Sequence, residues 1–202
     1  MRPRFFISLF ARSWRLIAAL LCGGALLGVG NDAGAEQLSA QEYAVKAAYL
    51  FNFVKFVEWP PTAFSSPEEP FVIGVMGESP FGDVLERVIH NKKLNDHPLV
   101  LRQYKRGDDL KGCHLVFVSR SEKDHFDEIA QALKGGAVLL VGEEESFLSR
   151  GGMINFFVES DTVKFSINLP AAEGAGLKIS SKLLNVARLA KKAAHFRRDY
   201  YA

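Results

Sequence analysis

Residues 151–189 read GGMINFFVESDTVKFSINLPAAEGAGLKISSKLLNVARL, and this stretch predicts a β-hairpin that leads into a final helix. With Ser160 and Asp161 as the turn, apolar side chains face each other in three pairs: Ile154 with Ile167, Phe156 with Phe165, and Val158 with Val163. Because side chains alternate between the faces of a strand, these six share one face, which we predict to be core. A shift of one residue would bury Glu159 and Lys164, so the pattern also predicts the register.

The opposite face of the hairpin is mixed in character, and we predict that it lies outside the core. It carries Asn155, Phe157, Glu159, Thr162, Lys164 and Ser166. Pro170 ends the second strand, and Ser180 or Ser181 is a suitable N-cap for a helix that begins near Lys182. The apolar stripe of this predicted helix comprises Leu183, Val186, Ala187, Ala190 and Ala194.

The first 35 residues have the order of a secretory signal peptide. Four arginines precede an apolar run over residues 16–29, and Ala33-Gly34-Ala35 then offers a small-residue cleavage site. We predict cleavage between Ala35 and Glu36, which leaves one periplasmic domain of residues 36–202. An uncleaved anchor is the alternative, although a spanning helix needs about 20 apolar residues.

The charge balance gives no sign of nucleic-acid binding. The full chain has 25 Lys and Arg residues against 23 Asp and Glu residues. The first 35 residues hold four arginines and one aspartate, so the remainder has 21 basic and 22 acidic residues and a net charge of −1. Cys113 is the one cysteine after residue 35, which excludes an internal disulfide there. We expect it to be a buried, inert thiol.

Short apolar strands alternate with helices between residues 71 and 141, a pattern typical of a mostly parallel sheet with helices on both faces. We predict strands at residues 71–76, 99–104, 115–118 and 138–141, and helices at residues 79–90 and 121–133. The hairpin adds antiparallel strands at one edge. The predicted fold is therefore a single three-layer α/β domain with a C-terminal antiparallel β-hairpin.

A capping-box pattern at residues 39–42 predicts the start of a helix that runs to about residue 58. The helix is apolar nearly all round, and its aromatic residues are Tyr43, Tyr49, Phe51, Phe53 and Phe56, with Trp59 just beyond its end. A helix of this kind is covered on most sides. We expect it to lie in the core, or in part against another subunit or partner.

A glycine-rich turn at residues 74–82 is the candidate small-molecule site, with Gly77, Ser79, Phe81 and Gly82 as the candidate ligand-binding residues. Backbone N–H groups between a strand and a helix can bind an anion. The turn matches neither G-x-G-x-x-G nor G-K-[ST], so tight packing is the simpler interpretation.

No local motif supplies catalytic or metal-binding chemistry. The histidines lack metal-ligand spacing, and no nucleophile is placed beside a base. We therefore expect no catalytic residue, metal or cofactor, while a hydrolase with a dispersed site stays a competing hypothesis. Glu143, Glu144 and Glu145 are expected to form a solvated acidic loop. Arg188 is expected to belong to a basic helix end that is solvated, or that attracts anionic lipid headgroups or an acidic partner.

Three blocks of the chain together resemble the YfiR family of periplasmic proteins. They are YLFNFVKFVEWP at residues 49–60, PFG at residues 80–82, and the hairpin stretch with GGMI at 151–154, FSIN at 165–168 and GLKISSKLL at 176–184. The resemblance implies an exported α/β regulator that can dimerise. The best-understood relative represses a membrane-bound diguanylate cyclase by binding its periplasmic sensor region, which lowers cyclic-di-GMP and changes biofilm behaviour. Some relatives have disulfides, which a single cysteine cannot supply internally.

The sequence therefore predicts a periplasmic, non-enzymatic protein that binds an inner-membrane sensor protein, with a diguanylate cyclase as the implied partner and a homodimer as a further possibility. The predicted partner-binding residues on the hairpin are Phe157, Glu159, Lys164 and Ser166. Phe51, Phe53 and Trp59 are predicted to add an apolar patch. The competing hypothesis is a periplasmic small-molecule-binding module that uses the turn at residues 74–82.

Overall fold

An eight-stranded sheet is the frame of the molecule, and the computed structural model describes residues 32–189, with side chains from residue 39 onward. Within this range the helices are α1 Asp32–Phe56, α2 Val84–Ile89, α3 Phe126–Ala132, α4 Leu169–Gly174 and α5 Ser181–Leu184. The strands are β1 Val57–Glu58, β2 Phe71–Met76, β3 Lys93–Leu94, β4 His97–Tyr104, β5 Leu115–Val118, β6 Leu139–Gly142, β7 Ile154–Glu159, β8 Thr162–Ile167, β9 Lys178–Ile179 and β10 Arg188–Leu189.

The order of strands in the sheet is β10-β8-β7-β6-β5-β2-β4-β3. The five strands from β7 to β4 in this order run parallel, whereas β8 pairs with β7, and β3 with β4, in the antiparallel sense. A separate two-stranded sheet joins β1 to β9. The predicted α/β class, with a mostly parallel sheet and a late hairpin, is confirmed.

Helices cover both faces of the sheet. On one face, Phe53 of α1 lies 5.6 Å from the ring of Phe156 and 5.0 Å from the ring of Phe165. On the other face, Phe126 of α3 packs at 4.5 Å against Phe147. The ring of Phe147 fills the space above Gly142, where a Cβ atom would approach it to 2.5 Å. One aromatic cluster thus packs α1 on the hairpin, and a second packs α3 beside the end of β6.

The register of the hairpin is as predicted. Phe156 pairs with Phe165, and the predicted partners on either side pair likewise. Ser160 and Asp161 form the turn with φ angles of 50° and 57°, the left-handed values that a type I′ turn needs. The six apolar side chains share one face as predicted, but the prediction that all six are core is wrong for Val158, which is 50 % exposed next to the turn.

The lengths of several predicted elements differ from those observed. Strands β2 and β5 have the predicted bounds, but β4 begins two residues earlier, at His97. The predicted helix at residues 79–90 is regular only as α2, because turns occupy the residues before Val84. The predicted helix at residues 121–133 begins with a 3-10 segment, Arg120–His125, before α3.

Helix α1 begins before the predicted capping box and continues to Phe56. The predicted cleavage site between Ala35 and Glu36 falls in its first turns, and the rest of the predicted signal peptide lies outside the described residues. Cleavage and the domain boundary at residue 36 stay predictions.

The predicted C-terminal helix is wrong beyond its first turn. Ser180 caps α5 as predicted, its Oγ accepting from the N–H of Leu183 at 3.4 Å. The helix ends at Leu184, and β10 then pairs in parallel with the outer edge of β8. Free hydrogen-bonding groups on that edge favour a strand over the helical stripe that the apolar spacing indicated. Ala190 and Ala194 of that stripe lie outside the described residues.

Candidate partner-binding site

The open end of the hairpin carries a small charged network on the face opposite α1. Glu159 forms ion pairs with Lys164, its neighbour on β8, and with Arg188 of β10 at 2.5 Å. Hydrogen bonds from Lys164 and from Arg188 lower the pKa of the Glu159 carboxyl below its usual value. The carboxylate is 40 % exposed, so this network faces solvent.

Phe157 lies beneath the guanidinium of that network. The central carbon of Arg188 sits 4.7 Å from the ring centroid of Phe157, and the ring is half-buried. A cation over an aromatic face is attracted by the ring quadrupole. An aromatic ring framed by Glu159, Lys164 and Arg188 therefore forms the predicted surface, and Arg188 is the member that the sequence did not point to.

Ser166 does not belong to this surface, although the sequence predicted it there. Its exposed fraction is 5 %, and Asn155, its partner on β7, is also buried. The two residues lie towards the middle of the sheet, where β10 and β6 flank the hairpin. Only the part of the mixed face nearest the turn is open to a partner.

The apolar patch predicted on α1 is broken up by packing. Phe53 has no exposed surface, because its ring lies between those of Phe156 and Phe165. Trp59 is half-buried edge-on against Phe71 at 4.8 Å. Phe51 is half-buried, with the Nζ of Lys55 at 5.5 Å from its ring. These residues lie on the α1 side of the sheet and do not join Phe157.

Three N–H groups of the glycine-rich turn already have hydrogen-bond partners within the protein. Gly77 donates to the carbonyl of Tyr104, Glu78 to the Oγ of Ser121, and Phe81 to the Oγ of Ser79. A Cβ atom on Gly77 would come within 2.3 Å of Ser121, so the space above the turn is filled.

The other candidate residues of the turn divide between core and surface. Phe81 is buried and packs edge-on against Phe117 at 4.8 Å. Ser79 and Gly82 are exposed and line a groove between α2 and β4. The geometry favours tight packing as the role of the turn, as its sequence also indicated.

A second charged cluster, which the sequence did not predict, lies inside the protein. Lys46 of α1 and Glu143, just after β6, form an ion pair with side chains that are each 1 % exposed. Glu42 pairs with the same ammonium group, and Arg120 lies 3.4 Å from Glu143. The expectation that Glu143 belongs to a solvated loop is therefore wrong, since its carboxylate is needed to balance a buried lysine.

Tyr43 completes this buried cluster. Its hydroxyl donates to Glu143 at 3.1 Å, and its ring lies 4.5 Å from the Nζ of Lys46. Burial, reinforced by the negative charge of Glu143, raises the pKa of Tyr43 to about 12. The cluster fixes the middle of α1 to the carboxyl end of the sheet, and its charged side chains are all engaged with one another.

Cys113 and His114 also serve packing. Burial raises the pKa of the Cys113 thiol, consistent with an unreactive group. The Nδ1 of His114 accepts from the N–H of Val72 at 3.1 Å, and its Nε2 lies 3.0 Å from the carbonyl of Ala63. These contacts suit a neutral ring that donates from Nε2, and burial accordingly lowers the pKa of His114.

The model of the YfiR/HmsC-like family matches residues 43–188 of this chain. The chain belongs to this family. The match begins at Tyr43 in the buried cluster and ends at Arg188, so it covers the Lys46–Glu143 pair and every side chain of the candidate surface, while Glu42 precedes it. A comparison with curated proteins found no match.

Across residues 32–189, no helix is both long enough and apolar enough to cross a bilayer. The same residues hold no group of three or more histidine, cysteine, aspartate or glutamate side chains placed to bind a metal ion.

Proposed function

We propose that this protein is a periplasmic regulator that binds the sensor region of an inner-membrane diguanylate cyclase and holds the enzyme inactive. The observation that carries the proposal is the YfiR/HmsC-like match over residues 43–188. The surface at the open end of the hairpin supports it, because it offers an aromatic ring framed by charges and linked to a rigid core.

Repression of this kind needs no chemistry in the regulator. A sensor that exchanges between active and inactive conformations shifts towards whichever conformation the regulator binds more tightly. Each tenfold difference in affinity between the two conformations corresponds to about 1.4 kcal/mol of bias. A modest but selective interface is therefore sufficient to silence the cyclase.

Phe157 is the proposed anchor of the interface. Binding energy often concentrates in a few aromatic or arginine side chains surrounded by polar residues that exclude water. Phe157 and Arg188 already stack on each other, and Glu159 and Lys164 flank them. Charges at the rim of an interface chiefly set the association rate and the choice of partner.

Deletion of the gene followed by complementation tests the proposal in cells. Cyclic-di-GMP should rise in the deletion strain, and the wild-type gene should restore its level. Phe157→Ala should fold but fail to restore it. Loss of an anchor costs about 2 kcal/mol or more, which weakens binding to the purified sensor region about thirtyfold.

Val158→Ala is the matched control, because Val158 is the next residue on the same strand and is exposed on the opposite face. It should restore cyclic-di-GMP like the wild type. Unchanged cyclic-di-GMP in a deletion strain that contains the cyclase would refute the repressor function. If Phe157→Ala binds the sensor region as tightly as Val158→Ala, the function survives but the proposed surface is wrong.

A further inference from the structure

The outer edge of β4 offers backbone hydrogen-bonding groups that no described strand uses. On its inner side, β4 pairs with β2 from Leu99 to Tyr104. On its outer side, β3 pairs only with His97 and Pro98. The last contact on this side is the N–H of Leu99, which donates to the carbonyl of Lys92 at 2.9 Å. The edge is open from there onward.

The alternation of the strand determines which groups face outward. The carbonyl of Tyr104 points towards β2, where it accepts from Gly77 at 3.0 Å, while the N–H of Leu99 points the other way. The N–H and C=O of one residue point to the same side of a strand, and successive residues alternate. Leu101 and Gln103 therefore present their N–H and C=O groups to the outside.

A groove runs beside this edge, between α2 and β4, with a cavity volume of about 760 Å³. Its apolar lining includes Ile89, Leu99 and Leu101. The volume falls within the range of natural ligand sites, about 300–1,000 Å³. Side chains of an added strand would have an apolar place to pack.

The charge beside the groove is mainly positive. Lys92 and Lys93 line it, are exposed, and make no ion pair with any side chain in residues 39–189. Glu86 is the one acidic residue in the lining. Arg102, at the centre of the open edge, is exposed as well. A strand that binds beside β4 would therefore lie close to three positively charged side chains.

We propose that this edge binds an extended acidic segment of a partner protein, which joins the sheet as a strand beside β4. Hydrogen bonds to Leu101 and Gln103 supply the backbone affinity, and the groove accepts alternate side chains. Lys92 and Lys93 select for negative charge. The edge lies at the opposite end of the strand order from β10 and the hairpin, so the two surfaces can be occupied together.

A second copy of the chain fits this edge less well. Antiparallel pairing of two β4 strands that joins Leu101 of one copy to Gln103 of the other would place Arg102 of each copy directly opposite the other. Like charges at directly opposed positions destabilise a strand pair. The charge pattern thus favours an acidic partner over self-association.

A short capped peptide that alternates valine with glutamate is the probe. Calorimetry with the purified protein should show binding, and amide exchange followed by NMR should show slower exchange at Leu101 and Gln103. A peptide with lysine in place of glutamate should bind about tenfold more weakly or worse. Equal binding of both peptides, no binding of either, or protection at other strands would overturn the proposal.

Reversal of the charge at Lys92 and Lys93 is the decisive test of the preference for acidic peptides. The double substitution Lys92→Glu with Lys93→Glu should reverse the preference between the two peptides, and both sites are exposed enough to leave the fold intact. Lys134→Glu, at an exposed lysine outside this groove, is the matched control and should keep the wild-type preference. If Lys134→Glu changed the preference between the peptides equally, net charge alone would explain it, and the proposed site would be overturned.

A dimer in sedimentation, with Leu101 protected in the absence of peptide, would assign the edge to a second copy and refute the acidic partner.

Discussion

The two charged clusters of this protein are built on the same arrangement but have different surroundings. In each, a glutamate is shared between cations: Glu143 between Lys46 and Arg120, and Glu159 between Lys164 and Arg188. In each, one cation lies over an aromatic ring, at 4.5 Å from Tyr43 in the first and 4.7 Å from Phe157 in the second. The Lys46–Glu143 pair at the centre of the first cluster is buried, whereas the ion pairs of the second cluster are exposed.

The difference in burial assigns the clusters different tasks. An ion pair removed from water must keep all its partners, because a single remaining charge would be left without solvation. An exposed pair contributes little to stability, since water can replace either partner. The inner cluster therefore holds α1 on the sheet, while the outer cluster can exchange its contacts for those of another protein.

The largest expected effect comes from removing the buried cation. Lys46→Met removes the buried partner of Glu143 and leaves its carboxylate to the Tyr43 hydroxyl and to Arg120, which is 61 % exposed. Because the main compensation of a buried charge is lost, we expect the free energy of unfolding to fall by as much as about 3–5 kcal/mol. Denaturation in urea measures the change.

The double variant Lys46→Met with Glu143→Leu is the control for that experiment. Replacement of a whole buried ion pair by apolar side chains is often neutral or stabilising, so the double variant should recover most of the loss. If Lys46→Met proved no more damaging than the removal of a surface lysine, the structural role assigned to the inner cluster would be wrong.

An intermediate effect is expected at alkaline pH. The unfolded Tyr43 phenol loses its proton near pH 10, whereas in the folded protein the pKa is raised to about 12. The stability contributed by the protonated phenol is thus present below about pH 10 and is lost as the pH rises from 10 through 12. The difference in ultraviolet absorbance between the wild type and Tyr43→Phe isolates this titration. A midpoint near 10 would contradict the contact with Glu143.

The smallest expected effect lies in the outer cluster. Lys164→Ala should leave the thermal midpoint nearly unchanged, because both members of its pair with Glu159 are exposed. Phe165→Ala, at the next residue on the opposite face, should lower the stability by about 3–5 kcal/mol, because its ring is buried. The reverse order of these two effects would mean that the faces of the hairpin are assigned the wrong way round.

The sequence predicted the hairpin register and the bounds of strand β2, because both depend on residues that are close together in the chain. The hairpin register follows from a strict alternation of two residues, because a shift of one residue would place Phe156 and Phe165 on opposite faces of the sheet. Strand β2 is a run of apolar residues between turn residues, and its bounds were predicted for that reason.

Local patterns do not predict contacts between residues that are far apart in the sequence. Glu143 looks like part of an acidic loop until its partner Lys46, 97 residues earlier, is placed beside it. The lysine was the available signal, because a cation in an otherwise apolar helix needs a partner when it is buried. Arg188 was likewise assigned to a helix, since nothing near it in the sequence shows that it pairs with Ser166 across a sheet edge.

The candidate surface was predicted only in part, for a geometric reason. Phe157, Glu159 and Lys164 lie where the hairpin extends beyond its neighbours, whereas Ser166 on the same face is covered. The sequence gives the face of each residue but not how far along a strand the flanking elements reach. Phe53 was misplaced for a related reason, because a helix that is apolar all round does not show which side faces the sheet.

The contacts of α1 also set a condition on the order in which the chain can fold. Its rings Tyr49 and Phe53 pack on Phe156 and Phe165, which are made more than a hundred residues later in synthesis. Contacts so distant along the chain form slowly, because a long loop must close before they are gained. A chain interrupted before the hairpin would leave the aromatic side of α1 uncovered, a surface that chaperones bind and that promotes aggregation. The core of the domain can therefore form only after the hairpin of β7 and β8 has been synthesised.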